Sequence, residues 1–285
     1  MTNTKKKTFD SKLKHYIVSY SVCIFFTIIF FVPILVAILG GLKTTGQLIT
    51  DPFGLPSPVE WKNYQEILFN TAKNFWLFMG NSLIVMAGTV ILDVGLSVMA
   101  GYALSWLAFK GKKLIFNYFL LGLLFPASVA MLPIYLQLKS MHLINTHLSV
   151  ILVQAAFGLP WHIMLIRGFF LTIPKDLSDA CSIDGCGPIR FLLYMVIPLS
   201  TPVIATASVL AMAASWNNYF LPLLVLDSQK LYTLPLGTMQ FMGQYEASWN
   251  LVMAFITWAL IPAVLFYIFA QKYIVAGLTG GSIKG

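Results

Sequence analysis

A chain of 285 residues that is 58% hydrophobic and only 10% charged, with a mean hydropathy of +0.81, carries too little polar surface to cover a soluble helical fold. The composition places it in a bilayer. Its net charge of +8 comes without a basic cluster interleaved with stacking aromatics, which excludes a nucleic-acid footprint and leaves membrane topology and anionic-lipid contact as the use of the charge.

Charged residues bracket six long uncharged runs. Lys14 and Lys43 enclose 28 residues, Lys113 and Lys139 enclose 25, Lys139 and Arg167 enclose 27, and Glu246 and Lys272 enclose 25. Two longer runs of 36 lie between Arg190 and Asp227 and between Lys73 and Lys110, the latter broken only by Asp93. A spanning helix needs about 20 apolar residues, so the two longest runs must also hold interfacial turns or surface segments. The first run is too long for a cleaved signal peptide and the others are internal.

In chain order, residues 1–14 form a polar, lysine-rich tail with nothing to bury. A first span is expected over 16–42. Residues 43–74 form an external segment punctuated by Pro52, Pro56 and Pro58, with a short surface helix near Trp61 to Phe69. The second span covers 78–108, and the turn Lys110-Gly111-Lys112-Lys113 makes it an antiparallel neighbour of the third, 114–138. Pro126 or Pro133 is expected to kink that third span by removing a backbone donor. The fourth span covers 148–170, a loop occupies 172–197, and the fifth and sixth spans cover 198–226 and 250–271. A glycine-rich tail, 272–285, closes the chain. The domain reading is thus a membrane domain over 15–271 between two short tails.

Orientation follows from the basic residues that flank the spans. With the amino terminus inside, 13 of the 18 Lys and Arg fall on the cytoplasmic side and five on the outer side. The fold class predicted is an all-α membrane protein with six transmembrane helices, both termini cytoplasmic. Cys23, Cys181 and Cys186 show neither disulfide nor metal spacing and are read as small packing residues.

The loop between the fourth and fifth spans leaves membrane composition and reads as helix, turn, helix. Pro174, Asp176 and Asp179 suit a helix start, Asp184-Gly185 a left-handed stop, and Pro188 the start of a second short helix. Leu177, Ala180 and Cys181 make a narrow stripe of small and apolar side chains on the first helix. Two readings fit that stripe: a face that docks on a soluble partner, or an ordinary amphipathic connector on the membrane surface.

The stretch Asp179-Ala180-Cys181-Ser182-Ile183-Asp184-Gly185 resembles the Glu-Ala-Ala-three-residue-Gly loop of ABC-importer permeases, with Pro198 and Pro202 where that motif's trailing prolines fall. Asp179 stands for the family's Glu and Cys181 for its second Ala. Two more segments, 216–226 (Trp-Asn-Asn-Tyr-Phe-Leu-Pro-Leu-Leu-Val-Leu) and 271–285, resemble the smaller permease of maltose-type carbohydrate importers. The resemblance spans nearly the whole chain.

It implies that Leu177, Asp179, Ala180, Cys181, Asp184 and Gly185 form a coupling helix in a cleft of a nucleotide-binding subunit. Gly277, Gly280, Gly281 and Lys284 would then lie in a tail between two copies of that ATPase. The implied partners are also a second, different permease, an external solute-binding protein and the lipid bilayer. No P-loop pattern of Gly, four residues, Gly-Lys-Ser/Thr occurs, so ATP and Mg belong to the partner ATPase and this chain binds no cofactor and catalyses nothing.

Four residues remain as a possible substrate path. Asp93, mid-span, reads as a solute-hydroxyl acceptor, a proton-coupled site, or a carboxyl paired inside the bundle with a neighbouring Ser, Asn or Arg; pairing is the preferred reading. Asn217 and Asn218 with Trp216 would suit a sugar, amide to hydroxyl and ring to pyranose face, or would bridge helices as polar glue. His162 reads as a packed histidine. The function expected is inward movement of a sugar or oligosaccharide, with a glycerol-phosphate permease as the near alternative and an ion-coupled carrier using Asp93 and His162 as the distant one.

Overall fold

In lipid a chain segment must satisfy its own backbone, and helices do so within one segment. The computed structural model describes residues 2–243 and 247–280, with side chains from 16 to 272 in that range. Among these residues the regular elements are all helical, with no strand beyond one isolated bridge between Met242 and Ala247. In order they are α1 (Thr2–Gly41), α2 (Thr45–Thr50), α3 (Lys62–Phe69), α4 (Phe75–Trp106), α5 (Lys112–Leu123), α6 (Ala127–Ser140) and α7 (His147–Phe170). There follow α8 (Asp176–Ile183), α9 (Pro188–Phe191), a π-helical turn (Leu192–Val196), α10 (Ile197–Leu199), α11 (Thr201–Trp216), α12 (Phe220–Val225) and α13 (Trp249–Gly280).

Among the described residues four helices are long and apolar enough to cross a membrane singly, and two bent pairs raise the number to six if each pair is one span. The expected third span is one such pair: α5 and α6 meet at 103° where Pro126 interrupts the helix, while Pro133 is accommodated inside α6. The expected fifth span, 198–226, is divided twice. Pro188–Leu199 and α11 meet at 78° around Ser200, with Pro202 in the first turn of α11, and α11 ends at Trp216 before α12 begins. The first and last helices overrun their expected ends, α1 starting at Thr2 and α13 continuing to Gly280. Lysine is a good helix former, and extending an existing helix costs little once it is nucleated.

The chain divides into two compact units. One holds α1 to α3 with Gln240–Trp258. In it Tyr64 donates its hydroxyl to the Ile38 carbonyl at 2.7 Å, and Trp258 Nε1 donates to the Tyr64 carbonyl at 3.2 Å. Gly41 makes room for this: a Cβ there would stand 2.6 Å from the Tyr64 hydroxyl oxygen. Lys43 is buried, its Nζ donating to the carbonyls of Asp51 and Pro52 at 2.7 and 3.1 Å. The apolar run Tyr16–Gly41 is by contrast only 6% buried within the chain.

The other unit holds Asn74–Met239 and the chain from Ala259. Its centre is the pair α4 and α7, which run parallel: Thr89 meets Gln154, Asp93 meets His162, and Leu104 meets Arg167. Gly88 and Gly101 permit that approach, since a Cβ on either would press on Ile151 or Ile166. Antiparallel to both lies α11, whose Ala207 and Ala211 are buried with Val94, Val98 and Ile166. At the amino-terminal end of α4 the loop after α12 is tied down by Asn81, which donates to the Lys230 and Tyr232 carbonyls at 2.9 Å each.

Candidate functional site: a keyed surface helix and a polar cavity

At the carboxy-terminal end of α4, the segment α8 to α9 folds as the local sequence demands. Asp176 and Asp179 occupy the first turn of α8, where the helix dipole favours anions. Gly185 ends the helix in the left-handed region at φ +74°, a conformation that costs any residue with a Cβ. Pro188 then opens α9. Tyr102 of α4 donates its hydroxyl to the Pro188 carbonyl at 2.8 Å, and Trp106 meets Phe191 edge to face at 5.0 Å.

The expected stripe on α8 is divided by this packing. Cys181 is buried and Leu177 half-buried against the core formed with Phe191, Ile173 and Tyr102, so both pack on the chain's own interior. Asp179, Ala180, Asp184 and Gly185 face outward. Ile183 joins them, 88% exposed at the end of the helix. Nothing in the stripe pointed to Ile183; its signal in the sequence is a large apolar residue between Ser182 and Asp184. The hydrogen bond with the Cys186 thiol, then burial and nearby negative charge, push the Cys181 thiol up to about 11. A cavity of about 170 Å³ is lined jointly by this segment and by Tyr102 and Trp106.

Deeper in the same unit lies a cavity of about 460 Å³ walled by α4, α6, α7, α11 and α12. Two rows of polar or small residues at one-turn spacing meet there, Thr89 and Asp93 on α4, continued by Ser97, against Gln154, Gly158 and His162 on α7. Asp93 is 1% exposed, and its Oδ2 accepts from His162 Nδ1 at 2.8 Å while Oδ1 accepts from Ser97 at 3.3 Å. Gly158 is required between them, because a Cβ there would fall on the Asp93 carboxylate. Thr89 donates to Gln154 Oε1 at 3.0 Å.

Asp93 therefore both pairs inside the bundle and lines a cavity, and its partner across the helices is His162, not the Asn or Arg first considered. The group Trp216-Asn217-Asn218 is separated by the end of α11. Asn218 lines the cavity and its Oδ1 accepts from the Leu221 amide at 3.2 Å, opening α12. Asn217 points elsewhere, donating to the Ala213 carbonyl, and shares with Trp216 a mostly apolar pocket of about 340 Å³ against Phe266 and Tyr267 of α13. Gly277 and Gly280 fall in the last turns of α13, while Gly281 and Lys284 lie outside the described residues.

Long apolar helices closed round a cavity with polar groups in its wall make a membrane permease. The family follows from comparison: residues 93–280 match the binding-protein-dependent transport system inner membrane component family, and the chain belongs to it. It is a multi-pass inner-membrane transport subunit. The chain is 34% identical over 275 residues to the arabinooligosaccharides transport system permease protein AraQ of Halalkalibacterium halodurans, covering 94% of this chain and 98% of that protein. It is 34% identical to the trehalose/maltose transport system permease protein MalG of Thermococcus litoralis, over 82% of this chain and 87% of that one. A crystal structure of a bacterial ABC transporter that imports the acidic polysaccharide alginate superposes with a TM-score of 0.77 at 23% identity, covering 90% of this chain and 95% of that chain, which establishes the fold.

Proposed function

We propose that this chain is one of two different permease subunits of an ATP-driven importer that moves a sugar or oligosaccharide inward. The observation that carries the coupling half of this reading is the two-faced α8. Its inner face is keyed through Cys181, Leu177 and Phe191 to the end of α4, while its outer face offers three carboxylates and the exposed Ile183. A helix held this way transmits a push from outside to the membrane core, because packed interfaces shift between discrete arrangements and do not deform continuously. The occupant of the outer face would be an ATPase whose groove carries an apolar socket for Ile183 and basic groups for Asp176, Asp179 and Asp184. Two copies of it would hold ATP and Mg, this chain holding neither. Gly277, Gly280, Gly281 and Lys284 are proposed to reach those copies.

The carbohydrate half rests on the names of the relatives, AraQ and MalG, and on a largely apolar cavity whose ionisable groups, Asp93 and His162, are paired with each other. No Lys or Arg is among its lining residues, which favours a neutral solute over the glycerol-phosphate alternative. An external binding protein would deliver the solute. Six crossings with both termini inside complete the reading. Parallel α4 and α7 support it, since the segment between two parallel crossings must return across the bilayer, as α5 with α6 would.

The test is Ile183→Asp in the complete importer reconstituted in proteoliposomes. Removing one buried apolar anchor from an interface costs on the order of 2 kcal/mol, so binding-protein-stimulated hydrolysis and solute uptake should fall together at least tenfold. Uptake and hydrolysis at wild-type rates would refute the docking role of α8.

A further inference from the structure

Three polar atoms in the wall of the 460 Å³ cavity have no hydrogen-bond partner: Nε2 of His162, Nε2 of Gln154 and Oγ of Ser215. Each is shut off from water. A buried polar atom without a partner costs about 1–3 kcal/mol, so three at one cavity are a large local cost that a structural role leaves unexplained. The other ends of His162 and Gln154 are satisfied. Asp93 Oδ2 and His162 Nδ1 share a hydrogen bond at 2.8 Å, which occupies one ring nitrogen and leaves Nε2 for a solute. The Gln154 carbonyl oxygen is taken by Thr89, which leaves its amide nitrogen to donate. The Ser215 hydroxyl both donates and accepts.

We infer that these three atoms are the solute-contact groups of this subunit and that they recognise the hydroxyls of a neutral polyol, a sugar ring above all. An amide donor, a hydroxyl of both kinds and an imidazole nitrogen complement neighbouring hydroxyls, each of which donates and accepts. Carboxylate charge is already engaged by His162 and Ser97, so no free charge remains for an ionic solute. Phe157 and Met131 supply an apolar wall for the C–H face of a ring, and the volume falls within the range of about 300–1,000 Å³ that small-molecule sites occupy. Ser215 sits on α11 while His162 and Gln154 sit on α7, so the spacing of these two helices sets how a solute reaches all three.

This inference rests on the importer reading, and its test separates the two. The whole importer is reconstituted with its binding protein and assayed with radiolabelled maltotriose, arabinotriose and diacetylchitobiose as probes. Ser215→Ala should lower uptake of the transported probe about tenfold, the worth of one hydrogen bond to a solute hydroxyl, while the unfolding temperature holds or rises because an unmet hydroxyl has been removed. Ser215→Thr, which keeps the hydroxyl, should restore most of the uptake. Gln154→Met should reproduce the loss from the other helix. If the wild type accumulates a probe and Ser215→Ala and Gln154→Met transport it within twofold of the same rate, the inference is wrong although the importer reading stands. A wild type that accumulates none of the three sinks the carbohydrate reading, and the contact site with it.

Discussion

At Gly158 one methyl group decides whether Asp93 keeps its place, since the Cβ of any other residue would occupy the carboxylate's position. Gly158→Ala should therefore push the carboxylate off His162 and destabilise the subunit by about 1–3 kcal/mol, the usual range for overpacking a filled core; an unchanged unfolding temperature in detergent would contradict this. A membrane carboxylate needs a partner on energetic grounds, and that much was legible from Asp93 standing alone in a 36-residue run. His162 was joined to it only as a carrier's relay and not as its packing partner, because it lies 69 residues away and hydropathy says nothing of the register between two helices. The signal was present in another form, as polar or small residues every fourth position on both α4 and α7. Cys181 was read as a packing residue, and its burial fits that. Because its thiol is held up to about 11, the neutral form dominates at pH 7 and the nucleophilic thiolate is scarce. Alkylation of Cys181 by iodoacetamide, followed site by site by mass spectrometry, should rise about tenfold per pH unit from 7 to 10 without levelling off. A plateau near pH 9 would mean that the Cys186 hydrogen bond does not hold the proton.

Between elements, the turn chemistry of the segment from α8 to α9 was legible because each signal is local. Pro174, the first-turn aspartates, Asp184-Gly185 and Pro188 place a helix, a left-handed stop and a second helix start where α8, Gly185 and α9 are found. Which face of α8 turns inward was not legible, since eight residues with apolar side chains on two sides fit either orientation, and contact with Phe191 and Tyr102 settles it. Gly185 offers a clean test of the stop. An added Cβ meets nothing within 4 Å, so any cost is backbone strain alone. Gly185→Ala should cost about 1–2 kcal/mol locally, and Gly185→Asn less, since asparagine tolerates the left-handed region better. Hydrogen exchange reads the difference at the amides of Gly185 and Cys186, which are bonded to the Ser182 and Cys181 carbonyls at 3.1 and 2.9 Å. Equal protection in both variants would show that the turn is held by its neighbours and not by glycine's freedom.

For the molecule as a whole, hydropathy legibly marked the membrane runs, because bilayer thickness imposes a minimum length on any crossing. It did not mark the bends. Pro126 and Pro133 look alike in sequence, yet the first breaks the helix at 103° and the second sits inside α6, where the freed carbonyl is tolerated. Whether α5 and α6 make one bent crossing or a re-entrant dip is then a question of sides, and the parallel run of α4 and α7 argues for the crossing. The decisive residues are Lys113, before the bend, and Lys139, after it. In a background with Cys23, Cys181 and Cys186 replaced by serine, single cysteines at Lys113 and Lys175 should react with a membrane-impermeant maleimide only after permeabilisation. Cysteines at Lys139 and Lys230 should react in intact cells. The same accessibility at Lys113 and Lys139 would make the pair re-entrant, reduce the crossings by one and place α4 and α7 antiparallel in the membrane, against the contacts Thr89 to Gln154 and Leu104 to Arg167 that align them. Both observations cannot hold at once, so labelling at these two lysines decides the topology.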